Sequence, residues 1–192
     1  MNFSSLTTNQ LVLIIAAVVI VIACIATLQI VRKRRTQRLR AQFGSTEYSR
    51  AVTEGGSQRK AEAVLDKRAD RVESFHIRAL SASDRARFVE SWSRIQSRFV
   101  DGPGGAVTDA DQLLGDVMST RGYPVSDFEQ RAADISVDHP LVIENYRAAH
   151  QTALLQLQGK ASTEDLRKAM LHFRTLFDEL VNEPEVARAA HA

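Results

Sequence analysis

The chain has 192 residues and 44% apolar side chains, enough for one soluble domain with its own core beside a membrane segment. All 23 acidic residues follow position 40, whereas six of the 25 basic residues fall within 32–40; the rest of the chain carries 19 basic against 23 acidic groups, a net of −4. That split excludes a basic nucleic-acid-binding surface, and the single cysteine, Cys24, excludes a disulfide framework or a cysteine-based zinc site.

Residues 1–10 carry no charge, and residues 11–31 read LVLIIAAVVIVIACIATLQIV, with Thr27 and Gln29 the only polar side chains. As a helix this run is about 32 Å long, against a hydrocarbon thickness of about 30 Å. The sequence therefore predicts a transmembrane helix over 11–31. Arg32, Lys33, Arg34, Arg35, Arg38 and Arg40 follow at once. Such a cluster marks the cytoplasmic flank, so the N-terminus is expected outside and the remainder inside, at the inner (plasma) membrane. A cleaved signal peptide would carry its charges before the apolar run and a cleavage site after it. The stretch Val21-Ile22-Ala23-Cys24 loosely resembles a lipoprotein box, but seven mostly apolar residues follow Cys24 and no basic residue precedes the run. The six basic side chains serve as a topology anchor, and the same chemistry suits anionic lipid headgroups.

Residues 32–57 read as a basic juxtamembrane segment and linker, broken at Phe43-Gly44 and again at Glu54-Gly55-Gly56-Ser57. A helix is predicted from about Gln58 to Ala79, with Ala61, Leu65, Val72 and Phe75 or His76 inward and a charged, solvated face that includes Glu62 and Asp66. The next runs from about Ser83 to Val100, where Phe88, Trp92, Ile95 and Phe99 form one apolar stripe. Asp101 to Gly105 reads as a flexible connection. A helix over about Thr108–Arg121 buries Leu113, Leu114, Val117 and Met118, and Gly122 and Pro124 stop it. Ser126-Asp127-Phe128-Glu129 has capping-box spacing and opens a short helix to about Ile135. A turn over Ser136–Pro140 leads to a helix ending near Gln158, with Val142, Ile143, Tyr146, Ala149, Ala153, Leu154 and Leu157 inward. The last helix opens at Ser162-Thr163-Glu164-Asp165 and buries Leu166, Met170, Phe173, Leu176, Phe177 and Leu180 before Pro184. Residues 184–192 form a loose tail. The fold class is thus all-α: one transmembrane helix and a compact bundle of about six helices over 58–183.

Special residues are densest between Arg121 and His150. Arg121, Tyr123, Asp134, Asp138, His139, Tyr146 and His150 are the candidate functional cluster. Architecture accounts for much of it: Asp138 or His139 caps the following helix, Pro140 occupies its first turn, and Asp134 and Arg131 pair with each other or with Arg147. Chemistry would use Asp134, Asp138, His139, Glu144 and His150 as acid–base groups or ligands, but no His-x-x-x-His pair is present. His139 and His150 would stand about 16 Å apart along one helix, too far to share an ion. Gly102–Gly105 lacks the Lys-Ser/Thr of a phosphate loop. His76 and His172 read as core-edge histidines.

The segments FGSTEYSRAV, RFVDGPGGAV and VMSTRGYPVSDFEQRAADISVDHPLVIENYRAAH, spread between Phe43 and Phe177, resemble a group of uncharacterised bacterial proteins described as membrane or secreted proteins. The resemblance implies a bacterial source and a general domain on a variable anchor, and it brings no activity, cofactor or catalytic residue. The expected function is a membrane-tethered interaction or scaffold module. A hydrolytic or metal-assisted enzyme around Asp134–His139 and His150, or a sensor of anionic lipid surfaces, stands as the alternative. The bilayer is the expected partner beside an unidentified protein; no nucleic acid, cofactor or metal is expected.

Overall fold

The computed structural model describes residues 8–124 and 126–182, so the expected outer residues 1–7 and the tail 184–192 lie outside the described residues. The described chain is all-helical: α1 (Thr8–Gly55), α2 (Gln58–Glu73), α3 (Ala82–Arg98), α4 (Pro103–Arg121), α5 (Phe128–Asp138), α6 (Ile143–Leu157) and α7 (Thr163–Asn182).

The first helix is long and apolar enough over its upper part to cross a membrane. A core helix of equal hydrophobicity would be covered, yet here the large side chains from Val12 to Val31 stand 49–69% exposed. The helix then runs through the basic cluster without a break and enters the folded part, where Leu39 and Phe43 are fully buried. Gly44 (φ 73°, ψ 169°) interrupts the helical backbone, a geometry that suits glycine. Residues 45–55 resume the helix, so the stretch expected as a linker is helical apart from that kink. The reason is periodic burial: Leu39, Phe43, Tyr48 and Ala51 fill a small core with Ala61, Leu65, Val72 and Val137.

Ser57 caps α2 by accepting the Lys60 amide at 3.4 Å. The helix ends at Glu73, six residues short of the predicted Ala79. Beyond Ser74 the chain is extended and pairs with the end of α4: the Arg78 amide donates to the Arg121 carbonyl at 2.8 Å. Tertiary hydrogen bonds there replace the helical ones. Pro103 starts α4 five residues before the predicted Thr108, so Gly104 and Gly105 form its first turn rather than a flexible connection. Gly122 (φ 104°) ends α4, and the Tyr123 amide closes on the Met118 carbonyl at 3.0 Å.

Asp127, one residue later than the predicted start, caps α5 by accepting the Gln130 amide at 2.9 Å. α5 also continues through Ser136 to Asp138, because Ile135 and Val137 face the two cores. Before α7, Ser162 and Asp165 cap each other reciprocally: the Asp165 amide donates to Ser162 Oγ at 3.2 Å and the Ser162 amide to Asp165 Oδ2 at 3.1 Å.

The main core joins α3, α4, α5, α6 and α7, with Trp92 stacked on Phe177 at 4.8 Å between ring centroids. The predicted stripes of α3, α4 and α7 are inside. Leu154 and Leu157 are not: they are 39% and 75% exposed. The α6–α7 tip projects past the core, and the next buried residue after Ala153 is Leu166. α5 bridges the two cores, contributing Ala132 and Ile135 to one and Val137 to the other.

Candidate functional site

The candidate residues sit where helices meet, each in its own set of contacts. Arg121, in the last turn of α4, is 3% exposed; its Nη1 donates to the Leu180 carbonyl at 3.0 Å and its Nε to the Arg78 carbonyl at 3.3 Å. It ties α4 to α7 and to the non-helical segment after α2. The Tyr123 hydroxyl donates to Asp138 Oδ2 at 2.9 Å, joining the α4–α5 connection to the end of α5.

Asp134 is buried and accepts Gln130 Nε2 at 2.7 Å and Arg71 Nε at 3.1 Å, both on Oδ1. The expected pairing with Arg131 or Arg147 is therefore replaced by a bond to α2. Arg147 instead reaches Glu129 at 2.8 Å and Glu47 at 3.3 Å. The cause is direction: from α5, Asp134 faces the α2 side of the helix, toward Val72 and Val137, away from α6.

His139 closes the end of α5, its amide donating to the Ile135 carbonyl at 2.8 Å, and its ring lies 3.4 Å from Glu179 on α7. Neither Asp138 nor His139 caps α6, whose N-cap position is Val142 with no side-chain cap bond. The turn between the two helices is three residues longer than the capping reading requires.

Tyr146 is fully buried between Phe128 and Phe173. Burial, reinforced by the Asp111 charge and opposed by Arg131 and Arg147, pushes its hydroxyl far above the ordinary tyrosine range. His150 stacks flat on Phe128 (3.5 Å, 5°) and shares a 3.0 Å hydrogen bond with Asp111. The Arg131 guanidinium lies against Gly115, one turn beyond Asp111 on α4.

The structure thus brings Tyr146 and His150 into one neighbourhood and spreads Arg121, Tyr123, Asp134, Asp138 and His139 along other helix junctions. Asp111, Phe128 and Glu179 complete these contacts and were not in the candidate cluster, Phe128 having been read as part of a helix start. Their signal is tertiary, since Asp111 lies 39 residues from its histidine. Among the described residues no three His, Cys, Asp or Glu side chains gather as a metal-ligand set. A shallow groove of about 290 Å³ lies between α3 and α4, lined by Arg94, Ile95, Arg98, Asp109, Gln112 and Leu113 among others. No member of the candidate cluster lines it.

A second polar centre lies where α1 meets α2. Glu62, expected on a solvated face, is 7% exposed. It accepts Thr36 Oγ1 at 2.6 Å, Gln58 Nε2 at 2.9 Å and the Tyr48 hydroxyl at 3.0 Å. Burial alone would raise its pKa; the bonds from Thr36, Gln58 and Tyr48, with the charge of Arg35, outweigh it and hold the carboxyl below its ordinary range. Tyr48 moves the other way, raised by burial and by its bond to Glu62.

The same junction divides the basic cluster. Arg35 Nε (2.9 Å) and Arg38 Nη2 (2.7 Å) both donate to Asp66, and Arg40 lies over the Tyr48 ring at 4.9 Å. Arg32, Lys33 and Arg34 are exposed, and Arg35, Arg38 and Arg40 stay exposed in spite of these contacts. Glu47, 3% exposed, gathers Arg68 and Arg147 at 2.8 and 3.3 Å. Comparison with protein-family models, with curated proteins and with solved structures gave no match for this chain.

Proposed function

We propose that this protein is a single-pass, membrane-anchored interaction module of the plasma membrane. In this reading residues 11–31 cross the bilayer, the uncharged N-terminus lies outside, and the bundle is held in the cytoplasm. The continuity of α1 carries the reading. One helix presents a bare apolar surface of bilayer length, then six basic residues, then Leu39 and Phe43 as core side chains. Lipid is the solvent that such a bare surface fits, and Lys and Arg resist translocation.

Anchoring confines the bundle to a thin layer beneath the membrane and raises its effective concentration for partners there. The α6–α7 tip offers exposed Leu155 and Leu157, with Leu171 on α7, as apolar side chains for a protein partner. The candidate cluster supports the same reading. Its polar side chains act mostly as stitches between helices, which is architecture more than catalysis.

Two measurements test it. A reporter fused after Ala192 should be shielded from protease added to intact cells. Cleavage from outside overturns the cytoplasmic placement of the bundle, and a mature chain lacking its first thirty residues removes the anchor. Photo-crosslinkers at Leu157 and Leu171 in the full chain should give discrete adducts; a smear of abundant proteins removes the interaction role.

A further inference from the structure

Gln58, Glu62 and Asp66 span about 12 Å of α2, yet before the Gly44 kink their α1 partners all fall within residues 35–38, about 4.5 Å of that helix, with Glu62 also meeting Tyr48 beyond the kink. Two helices running side by side would spread those partners over two turns of each. α2 therefore crosses α1 steeply. The rest of the small core, Leu39 and Phe43 among it, lies farther along α1 from Val31. α2 is thus the layer of the domain nearest the apolar segment, with its core side (Ala61, Leu65, Val72) turned away from that end.

The face of α2 opposite its core carries Arg59, Ala63 and Lys67, with Lys60 at its flank, and all four are exposed. Asp70 is the acidic residue on that face, toward the end of the helix. The α1 contact is centred five to six residues past Val31, about 8 Å down the axis. A helix with side chains has a radius of about 5–6 Å, and the headgroup layer is about 5–8 Å deep on each side. The basic side chains of α2 therefore reach the headgroups once α1 is inserted.

We infer that α2 lies flat against the inner bilayer surface, where Arg59, Lys60 and Lys67 join Arg32, Lys33 and Arg34 in one face for anionic lipid headgroups. This rests on the membrane-anchored reading above. It replaces the linear cluster with a surface assembled from two crossed helices, because Asp66 has already taken Arg35 and Arg38. A face built this way fixes the roll of the whole bundle under the membrane as well as its distance from it. Each basic residue near an anionic surface contributes roughly a five-fold preference.

The test uses the full chain in nanodiscs of phosphatidylcholine with rising fractions of phosphatidylglycerol. One sample carries a fluorophore on the native Cys24, which is exposed on the helix surface. Another carries it on Ala63→Cys in a Cys24→Ser background. Acyl-chain nitroxide lipids should quench the Cys24 label in every disc. Headgroup nitroxide lipids should quench the Ala63→Cys label in every disc and more strongly as phosphatidylglycerol rises, and salt should reverse that increase. Substituting Arg59→Gln, Lys60→Gln and Lys67→Gln together should abolish the rise in quenching with phosphatidylglycerol. If Cys24 is quenched and Ala63→Cys is not, or if the triple variant quenches like the parent, the lipid face is wrong and the anchor stands. If Cys24 itself escapes quenching, both readings fall.

Discussion

Two glutamates, Glu47 in a stretch read as linker and Glu62 on a helix face read as solvated, are 3% and 7% exposed and each gathers polar partners across a helix crossing. Glu62 titrates below its ordinary range when folded, so its contribution is present above its unfolded pKa of about 4.3 and is lost as pH falls through the folded value. Asp84 and Asp165, lowered first by bonds from Ser81 and Ser162 at helix starts, titrate in the same direction. Comparing wild type with Glu62→Gln isolates the buried group. At about pH 7 the variant should be less stable by about 1–2 kcal/mol, the scale of a lost charge-assisted bond. The gap in thermal midpoint should narrow as pH falls below the unfolded value and through the lower folded one. A gap of constant size would show that the carboxylate charge is irrelevant there.

Glycines give a second contrast at the same scale. Gly122 has φ 104° and faces the backbone carbonyl of His76, so Gly122→Ala meets both strain and backbone. It should cost at least about 1–3 kcal/mol in denaturant unfolding. Gly115 is helical and its Cβ would meet only the tip of Arg131, a side chain free to move. Gly115→Ala should change stability by less than about 1 kcal/mol, with helix propensity acting in its favour.

Among elements, α1 has two solvents along one rod. The upper part matches lipid; the part from Arg35 to Phe43 is a core helix of the domain. A soluble fragment beginning at Phe43 loses Leu39, Thr36 and Arg35 and uncovers Leu65 and Glu62. It should unfold at lower urea concentration than a fragment beginning at Arg32. Phe43→Ala in the longer fragment should cost about 3–5 kcal/mol, the usual penalty for emptying a buried aromatic site. Equal midpoints for the two fragments would mean that residues 32–42 of α1 contribute nothing to the stability of the bundle. The sequence hid this part of the helix because Arg and Lys crowd three of its faces and leave only Leu39 and Phe43 as signal. By contrast, α3, α4 and α7 were legible to within a turn or two from stripe spacing and caps. α2 was read too long because its last predicted turn trades helical bonds for pairing with Arg121.

Across the whole molecule, two cores of unequal size share α5. The larger joins five helices around Trp92, Tyr146 and Phe173; the smaller is a cluster under α1 and α2. Less buried apolar area means a lower opening free energy. Amide exchange of the chain should therefore protect α4, α6 and α7 most and release α2 earlier, with the Arg71–Asp134 contact breaking in that step. Exchange of α2 in step with α4 would mean a single cooperative unit.

The amino-acid sequence by itself determined the all-α class, the bilayer-length apolar helix with its basic edge, and the inward faces of α3, α4 and α7. Each of these follows from local periodicity and from the composition of a single segment. Only the tertiary structure decided which charges are buried and which partner they meet. Asp134 turned to Arg71, His150 to Asp111, and Asp66 took two of the six basic residues beside the long apolar segment. Such pairings depend on how helices cross, and a crossing joins residues that sequence spacing keeps apart.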